Sequence, residues 1–465
     1  MSVAEADTTG ITKTENIKQP YGAYYQRDVP AEDAFLTHTG PGTPCGEYLR
    51  RFWHPIAYSR ELKDLPVRKK IMGEDLVVFR DGRGKVGLLQ LHCCHRGTSL
   101  EFGRIEECGI RCCYHGWQFD VDGRILDTPI EPPDSTLKDR FFHGAYIAAE
   151  HHDVVWGYMG PPDKIPDAPN FDLLAIPGYT FEPGELHGGP NHKPCNWLQI
   201  VDNFVDPQHE EILHAQHSGT QFISRNGKLV EDLNIIGEGE YVVSPTGIVT
   251  LEMRRISDDT VWVRNIEYIA PNIAVLGQLP EWPPVFPEGQ NELHDFPITF
   301  DWAVPMDDVN TMEISLVLTP IGEENPRTKY PMSALESNSS GRPYEQMQRI
   351  PGDYEAQMGQ RPIAVHAREH LGSIDKGVAM LRRDLREAIE TVQAGGDPPN
   401  VFRDGRMVAT YSGDAALRLE RLADEAADKQ MLRREGRALI ERYIAKGGHI
   451  DRTGTAKEAA ENAAE

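Results

Sequence analysis

Cysteine is scarce in this chain, with seven among 465 residues, too few for a disulfide scaffold. No run approaches the ~18 consecutive apolar residues of a helical membrane span. The opening stretch, MSVAEADTTGITKTENIK, lacks the apolar segment of a secretory signal. Basic charge is also short: 48 Lys and Arg face 72 Asp and Glu, a formal charge of −24. That surplus repels nucleic acid and anionic membrane, so neither is an expected partner. No internal repeat is present. The expected setting is the cytoplasm, where thiols stay reduced and clustered cysteines point to metal binding or catalysis.

What remains is an ordinary globular composition, 39% hydrophobic and 26% charged. Residues 1–47 read as an arm and lead-in. From Lys69 to Asp127, short apolar runs (KKIM, LVVF, VGLLQL, WQF, RILD) alternate with Gly73-Glu74, Asp81-Gly82 and Asp122-Gly123, the pattern of β-hairpins. A Pro-rich stretch at 160–171 marks a boundary, giving a small all-β unit over 48–165 and a larger one over 166–450. The larger unit carries strand-like runs at 239–278 and 298–320. It carries helical periodicity at 202–217, from Pro362 to about Val392, and from Asp414 to Ala445. Residues 451–465 read as a tail.

Five of the seven cysteines fall within LHCCHRGTSLEFGRIEECGIRCCYHGWQF, residues 91–119. The ligand-like spacing is Cys93-x-His95 followed by Cys112-x-x-His115. Two thiolates and two imidazoles suit tetrahedral zinc, or a [2Fe–2S] centre with cysteines on one iron and histidines on the other. In the latter, neutral imidazoles remove negative charge and raise the reduction potential. The flanking residues separate the two: CxHRG and CxYHGW resemble the Rieske oxygenase family, whereas a zinc ribbon needs no His-Gly-Trp after its last ligand. The resemblance implies that Gly97 and Gly116 let backbone amides approach the bridging sulfides. Cys94 and Cys113 stand where the family usually has proline. They are expected to be small, buryable substitutes, the other reading being an oxidation-sensitive thiol pair. Cys45, Cys108 and Cys195 fit no ligand spacing.

A second constellation lies in CNWLQIVDNFVDPQHEEILHAQH (195–217), with Asp206-x-x-His209-x4-His214. Histidines five apart sit about 140° apart on a regular helix, so they converge only where the helix is distorted or just beginning. His217 reads as a bystander. Beside a Rieske motif, two histidines suggest a mononuclear Fe(II) held by two His and one carboxylate, with positions open for oxygen. The resemblance gives Asp206 another task, linking His209 to His115 of a neighbouring subunit. It also implies a ring of subunits, a homotrimer or dimer of trimers. For the carboxylate, GDYEAQMGQRPIAVHAREHLG (352–372) resembles phthalate-dioxygenase-like oxygenases in its D-x3-Q and REHLG. That implies Asp353, with Glu355 as the alternative.

This resemblance runs from RRFWHPIA to REHLG, most of the chain. It implies an α+β protein: an N-terminal all-β Rieske domain, then a helix-grip-type catalytic domain with an antiparallel sheet and C-terminal helices. It further implies a [2Fe–2S] cluster, a mononuclear Fe(II), O2, an aromatic substrate, and an NAD(P)H-dependent reductase or ferredoxin as partner. The expected reaction is O-demethylation of a lignin-derived aryl methyl ether. Ring cis-dihydroxylation and N-dealkylation are the alternatives within the family. An electron carrier or zinc-stabilised binding protein is the alternative outside it. Arg225, Arg254, Arg255 and Arg264 are candidate anchors for a substrate carboxylate, although surface charges are the simpler reading.

Overall fold

The computed structural model describes residues 28–184, 191–224, 226–277, 281–295, 297–325 and 341–447. Most of the expected arm, the tail and Arg225 lie outside these. The first unit is built of strands β1 (Trp53–Tyr58), β2 (Val67–Ile71), β3 (Glu74–Arg80), β4 (Val86–Gln90), β5 (Arg104–Ile105), β6 (Ile110–Arg111), β7 (Gln118–Phe119), β8 (Ile125–Asp127), β9 (Ala145–His151) and β10 (Val154–Tyr158). They form an antiparallel six-stranded sheet, ordered β1-β10-β9-β4-β3-β2, and a small sheet ordered β5-β6-β7-β8. The apolar runs noted in the sequence lie on these strands. Val77, Phe79, Leu89, Leu91, Leu100, Ile110, Trp117 and Phe119 form a separate small core that also encloses Cys93 and Cys112.

The second sheet comprises β11 (Tyr179–Pro183), β12 (Asn191–Lys193), β13 (Glu238–Val243), β14 (Gly247–Arg255), β15 (Thr260–Ile269), β16 (Ile273–Gly277), β17 (Glu292–His294), β18 (Pro297–Asp307), β19 (Asn310–Pro320) and β20 (Ala415–Arg418). Its main path is β11-β19-β18-β16-β15-β14-β13, with β12 on β19 and β20 on β15 and β17. β14 and β15 are rich in Val, Ile, Thr and Trp and are buried along nearly their whole length, as strands covered on both faces should be. Helices α1 (Trp197–Phe204), α2 (Asp353–Met358), α3 (Lys376–Gln393) and α4 (Glu425–Ala445) accompany this sheet. The stripe Val378, Leu381, Leu385, Ile389 and Val392 of α3 enters a core shared with α1, β16, β18, β19 and the first sheet. α4 covers Val249, Leu251 and Met253 with Leu432, Leu439 and Ile440. The class is α+β, with all three sheets antiparallel.

Three helical expectations change. Residues 362–375 contain only short helical turns, and the helix proper begins at Lys376. The expected helix from Asp414 to Ala445 is divided. The buried Asp414 carboxylate accepts from Trp262 Nε1 (3.0 Å) and Arg264 (3.4 Å), which draws Ala415–Arg418 onto the sheet as β20. The helix starts only at Glu425, where Asp424 accepts from Ala427 N at 2.7 Å. The stretch 202–217 is also broken, with consequences for the metal centre.

Candidate metal centres

Two loops of one design carry the first ligand set. Cys93 N donates to Thr98 O (2.9 Å) and Cys112 N to Trp117 O (2.8 Å), while Gly97 N and Gly116 N return to Cys93 O (2.8 Å) and Cys112 O (3.1 Å). Gly97 and Gly116 have φ of 78° and 75°, a left-handed turn that favours glycine. Their own amides are spent on cysteine carbonyls, and the glycines hold the turn.

Cys93 and Cys112 are buried side by side. Burial and the Cys112 thiol push Cys93 up to about 12, against a backbone hydrogen bond at His95 that lowers it. The His95 and His115 rings lie 4.6 Å apart, and Trp117 stacks on His95 at 4.5 Å. These four side chains do not converge on one point. Among the described residues, only His209, His214 and Asp353 form a group of three or more donors within 4.8 Å of one another. A single zinc needs its four donors within roughly 4 Å of each other. Sulfurs paired at one place and imidazoles at another fit a two-iron cluster instead. Cys94 and Cys113 are exposed, so they are not buried substitutes: they occupy the solvent side of the loops whose cluster side Cys93 and Cys112 take.

The second set depends on a helix defect. α1, capped by Asn196, ends at Phe204, and the chain turns through Asp206-Pro207-Gln208 into one helical turn at His209–Glu211 and a π-helical turn at Ile212–Gln216. His217 N bonds Ile212 O at 2.8 Å. The wider π turn brings positions five apart onto one side, which is the distortion the His209/His214 spacing demanded. Asp353 opens α2, and both histidine Nε2 atoms lie 3.3 Å from its Oδ1. Glu355 is occupied elsewhere, with Gly352 N at 2.9 Å and an ion pair to Arg342.

The protons around this triad can be assigned. His214 Nδ1 faces Gln221 Oε1 at 3.1 Å. The Gln221 amide orientation follows from its nitrogen, which donates to Leu213 O, Ser218 Oγ and Pro351 O. His209 Nδ1 faces the main-chain carbonyl of Asp206. Both imidazoles thus donate through Nδ1, and in the neutral rings both Nε2 lone pairs aim at a carboxylate oxygen. Three electron-pair donors converging in a buried place require a cation. Without metal a proton answers: burial lowers the His209 pKa, but the hydrogen bond and charge of Asp353 outweigh it and push His209 up to about 9. Burial likewise opposes ionisation of Asp353, yet His214 and His209 hold its carboxyl well below the usual range. The set fits a divalent metal on one face with other positions open.

Asn203 Nδ2 lies 3.2 Å from both His209 Nε2 and Asp353 Oδ1. Sequence reading missed it, and its only signal was its place at the end of the helix before His209. Asp206 offers His209 its carbonyl rather than its carboxylate, and its Oδ1 is buried without a hydrogen-bond partner. Burial pushes that carboxyl up, while His209 lowers it. A cleft of about 520 Å³ opens beside Asp206 and His209, walled in part by Asp202, Glu369 and Arg382. There Arg382 bonds Asp202 at 2.6 Å and Glu369 of REHLG. Of the candidate anchors, Arg254, Arg255 and Arg264 are neither free nor surface charges. Arg264 is buried in a fork on Glu210 (2.6 and 2.8 Å), Arg254 is fully buried against Glu252, and Arg255 pairs with Asp428 at 2.7 Å. Charges of this kind are buried only when paired.

The geometry defines a two-centre metalloprotein, and comparison with known proteins agrees. Residues 52–140 match the Rieske [2Fe–2S] domain. The chain is 39% identical over 442 residues to the tert-butanol monooxygenase / tert-amyl alcohol desaturase oxygenase subunit of Aquincola tertiaricarbonis, covering 89% of each. It is 36% identical to phenoxybenzoate dioxygenase subunit alpha of Ectopseudomonas oleovorans, over 82% of this chain and 91% of that one. It is 31% identical to the 5,5'-dehydrodivanillate O-demethylase oxygenase subunit of a Sphingobium strain, over 79% and 82%. The crystal structure of dicamba monooxygenase with 3,6-dichlorosalicylic acid shares the fold: TM-score 0.55, 18% identity, covering 74% of this chain and 98% of that one. The chain therefore belongs to the oxygenase subunits of Rieske oxygenase systems. It is an oxidoreductase of the mono- and dioxygenase type, with a Rieske [2Fe–2S] cluster and a mononuclear iron as its cofactors. Among the described residues no helix is long and apolar enough to cross a membrane.

Proposed function

We propose that Cys93, His95, Cys112 and His115 hold the cluster, that His209, His214 and Asp353 hold the iron, and that the chain oxidises an aromatic compound using O2. One observation carries this reading: two Nε2 lone pairs and one carboxylate meet in a buried place, each imidazole already committed through Nδ1. When bound, the cluster supplies electrons and the iron supplies oxygen activation. The chain's own residues do the rest. Gln221 and the Asp206 carbonyl fix the imidazole tautomers, and Asn203 sets a donor beside His209 and Asp353. Asp206, with a buried carboxyl oxygen lacking a partner, is the residue that would meet His115 of a neighbouring copy in a homotrimer or dimer of trimers. Electrons would come from an NAD(P)H-dependent reductase or ferredoxin in the cytoplasm. The division into units at 48–165 and 166–450 belongs to the same proposal.

For the reaction we favour O-demethylation of a lignin-type aryl methyl ether, in which hydroxylation of the methoxy carbon gives a hemiacetal that releases formaldehyde. The dehydrodivanillate relative supports it. A second reading, hydroxylation of a tertiary alcohol, has the support of the Aquincola relative. The test is a single turnover of chemically reduced protein with O2, offered methoxylated and unmethoxylated aromatic acids and tert-butanol. Formaldehyde in proportion to methoxy substrate consumed supports demethylation. A ring diol without formaldehyde, or oxidation of the alcohol alone, overturns it.

A further inference from the structure

Lys193 is a charged side chain that the proposed chemistry leaves unused, and it is almost wholly buried, at 3% exposure. Lysine seldom occupies such a place unless paired. It closes β12, and its Nζ donates to Glu313 Oε1 on β19 (2.9 Å) and to Gln357 Oε1 on α2 (2.6 Å). Glu313 is steadied from its other oxygen by Asn191 Nδ2 at 2.9 Å. Gln357 is 2% exposed, and its main-chain carbonyl accepts from Gln199 Nε2 of α1 at 2.8 Å.

Gln357 lies one helical turn beyond Asp353, on the same side of α2. This gives the D-x3-Q spacing a physical meaning. One member presents the metal carboxylate, and the other is the handle by which the sheet grips that helix. Two charges also act on Lys193, one from β19 and one from α2: burial lowers its pKa, but Glu313 and Asp353 together raise it, so the ammonium stays charged.

We propose that Lys193 is a positioning residue for the iron: it clamps Gln357 and, through α2, holds Asp353 at the distance from His209 and His214 that the metal needs. This rests on the reading of Asp353 as the third ligand. α2 is six residues long, too short to be stable alone, so its position is set by what holds its sides. The clamp joins it to β12 and β19, while Gln199 joins it to α1, the helix leading to His209.

The test uses the full-length protein, stripped of non-cluster iron by chelation and retitrated with Fe(II). Cluster absorbance serves as the internal control, and the electron paramagnetic resonance of the ferrous–nitric oxide adduct reports ligand geometry. K193M/E313Q removes both charges, so no carboxylate is left buried alone. Q357M keeps both charges and removes only the handle. Each is expected to weaken Fe(II) binding roughly 10- to 100-fold and broaden the nitrosyl signal at unchanged cluster content, with K193R recovering part of the loss. Parental affinity and signal in either Q357M or a folded K193M/E313Q would overturn the proposal. D353N separates the two readings: if D353N keeps its iron, the ligand assignment fails; if it loses iron while Q357M does not, only the clamp fails.

Discussion

Replacing Gln221 with leucine removes the His214 Nδ1 partner at 3.1 Å and the ties to Leu213 O, Ser218 Oγ and Pro351 O at 3.2, 3.0 and 3.2 Å. Gln221 is 2% exposed, so water does not replace these bonds. The amide nitrogen has two hydrogens to share among its three acceptors, so with the bond from His214, at about 1 kcal/mol each, the fold should lose about 3 kcal/mol. The metal site should lose more selectively. Without an acceptor at Nδ1, His214 is free to carry its proton on Nε2, the wrong tautomer for binding. Loss of such a partner typically costs about 10- to 100-fold in metal affinity, or roughly 1.4 to 2.7 kcal/mol. Glutamate at the same position separates the two effects. A carboxylate still accepts from Nδ1 but cannot donate to the three oxygens, so Q221E should match Q221L in lost stability while keeping Fe(II) affinity near the parent's. Denaturant unfolding gives the first quantity and Fe(II) titration the second, with cluster absorbance unchanged throughout. Equal loss of Fe(II) affinity in Q221E and Q221L would refute tautomer control, and parental affinity in Q221L would refute any role for Gln221 at the metal.

Three further outcomes are expected. C93S should abolish the visible absorbance of the cluster, whereas C94S/C113S should retain it, because Cys94 and Cys113 are exposed on the loops; loss of the cluster in the double variant would show that the pair supports it. R264K keeps the charge but not the fork on Glu210, Gly277 O and Asp414, and should cost about 3 kcal/mol in denaturant unfolding; unchanged stability would return Arg264 to the list of substrate anchors. Glu267 is fully buried, and burial pushes it up to about 7 despite hydrogen bonds from Tyr411, Thr246 and Ser412 that lower it. Between its ordinary value of 4.5 and about 7 the folded state holds a proton that the unfolded chain has released, so this group's contribution falls as pH rises, by about 3 kcal/mol in all. E267Q should therefore gain in melting temperature relative to the parent between pH 5 and 8, and a difference independent of pH would contradict this.

The Cys-His motif was legible because its candidate ligands are local. Each hairpin brings Cys and His together within three residues, so spacing alone carries the geometry, and strand alternation in 69–127 carries the scaffold. The same locality made the histidine pair readable, including the need for a distorted helix, since five-residue spacing is incompatible with a regular one. Cys94 and Cys113 were misjudged because sequence does not tell which side of a loop a residue takes. Arg255 and Arg264 were misjudged because their partners are distant: Glu210 is far from Arg264 in sequence, and Asp428 from Arg255.

The amino-acid sequence alone thus defined the class of chemistry: spacing named the candidate donors, and the resemblance of the flanking residues to the Rieske oxygenases separated an iron centre from zinc and pointed to Asp353. The folded structure decided what spacing does not contain: which particular atoms meet once the chain turns back on itself. It divided Asp414–Ala445 into a strand and a helix, because a buried carboxylate between Trp262 and Arg264 outweighs helix propensity. It placed Asp353 beside the two histidines and left Glu355 with Arg342 and Gly352. It aimed both Nε2 lone pairs inward through Gln221 and the Asp206 carbonyl, hydrogen bonds that no spacing rule contains. A proton's position on an imidazole is fixed by whichever acceptor folding brings to the other nitrogen, and that is known only once the chain has closed on itself.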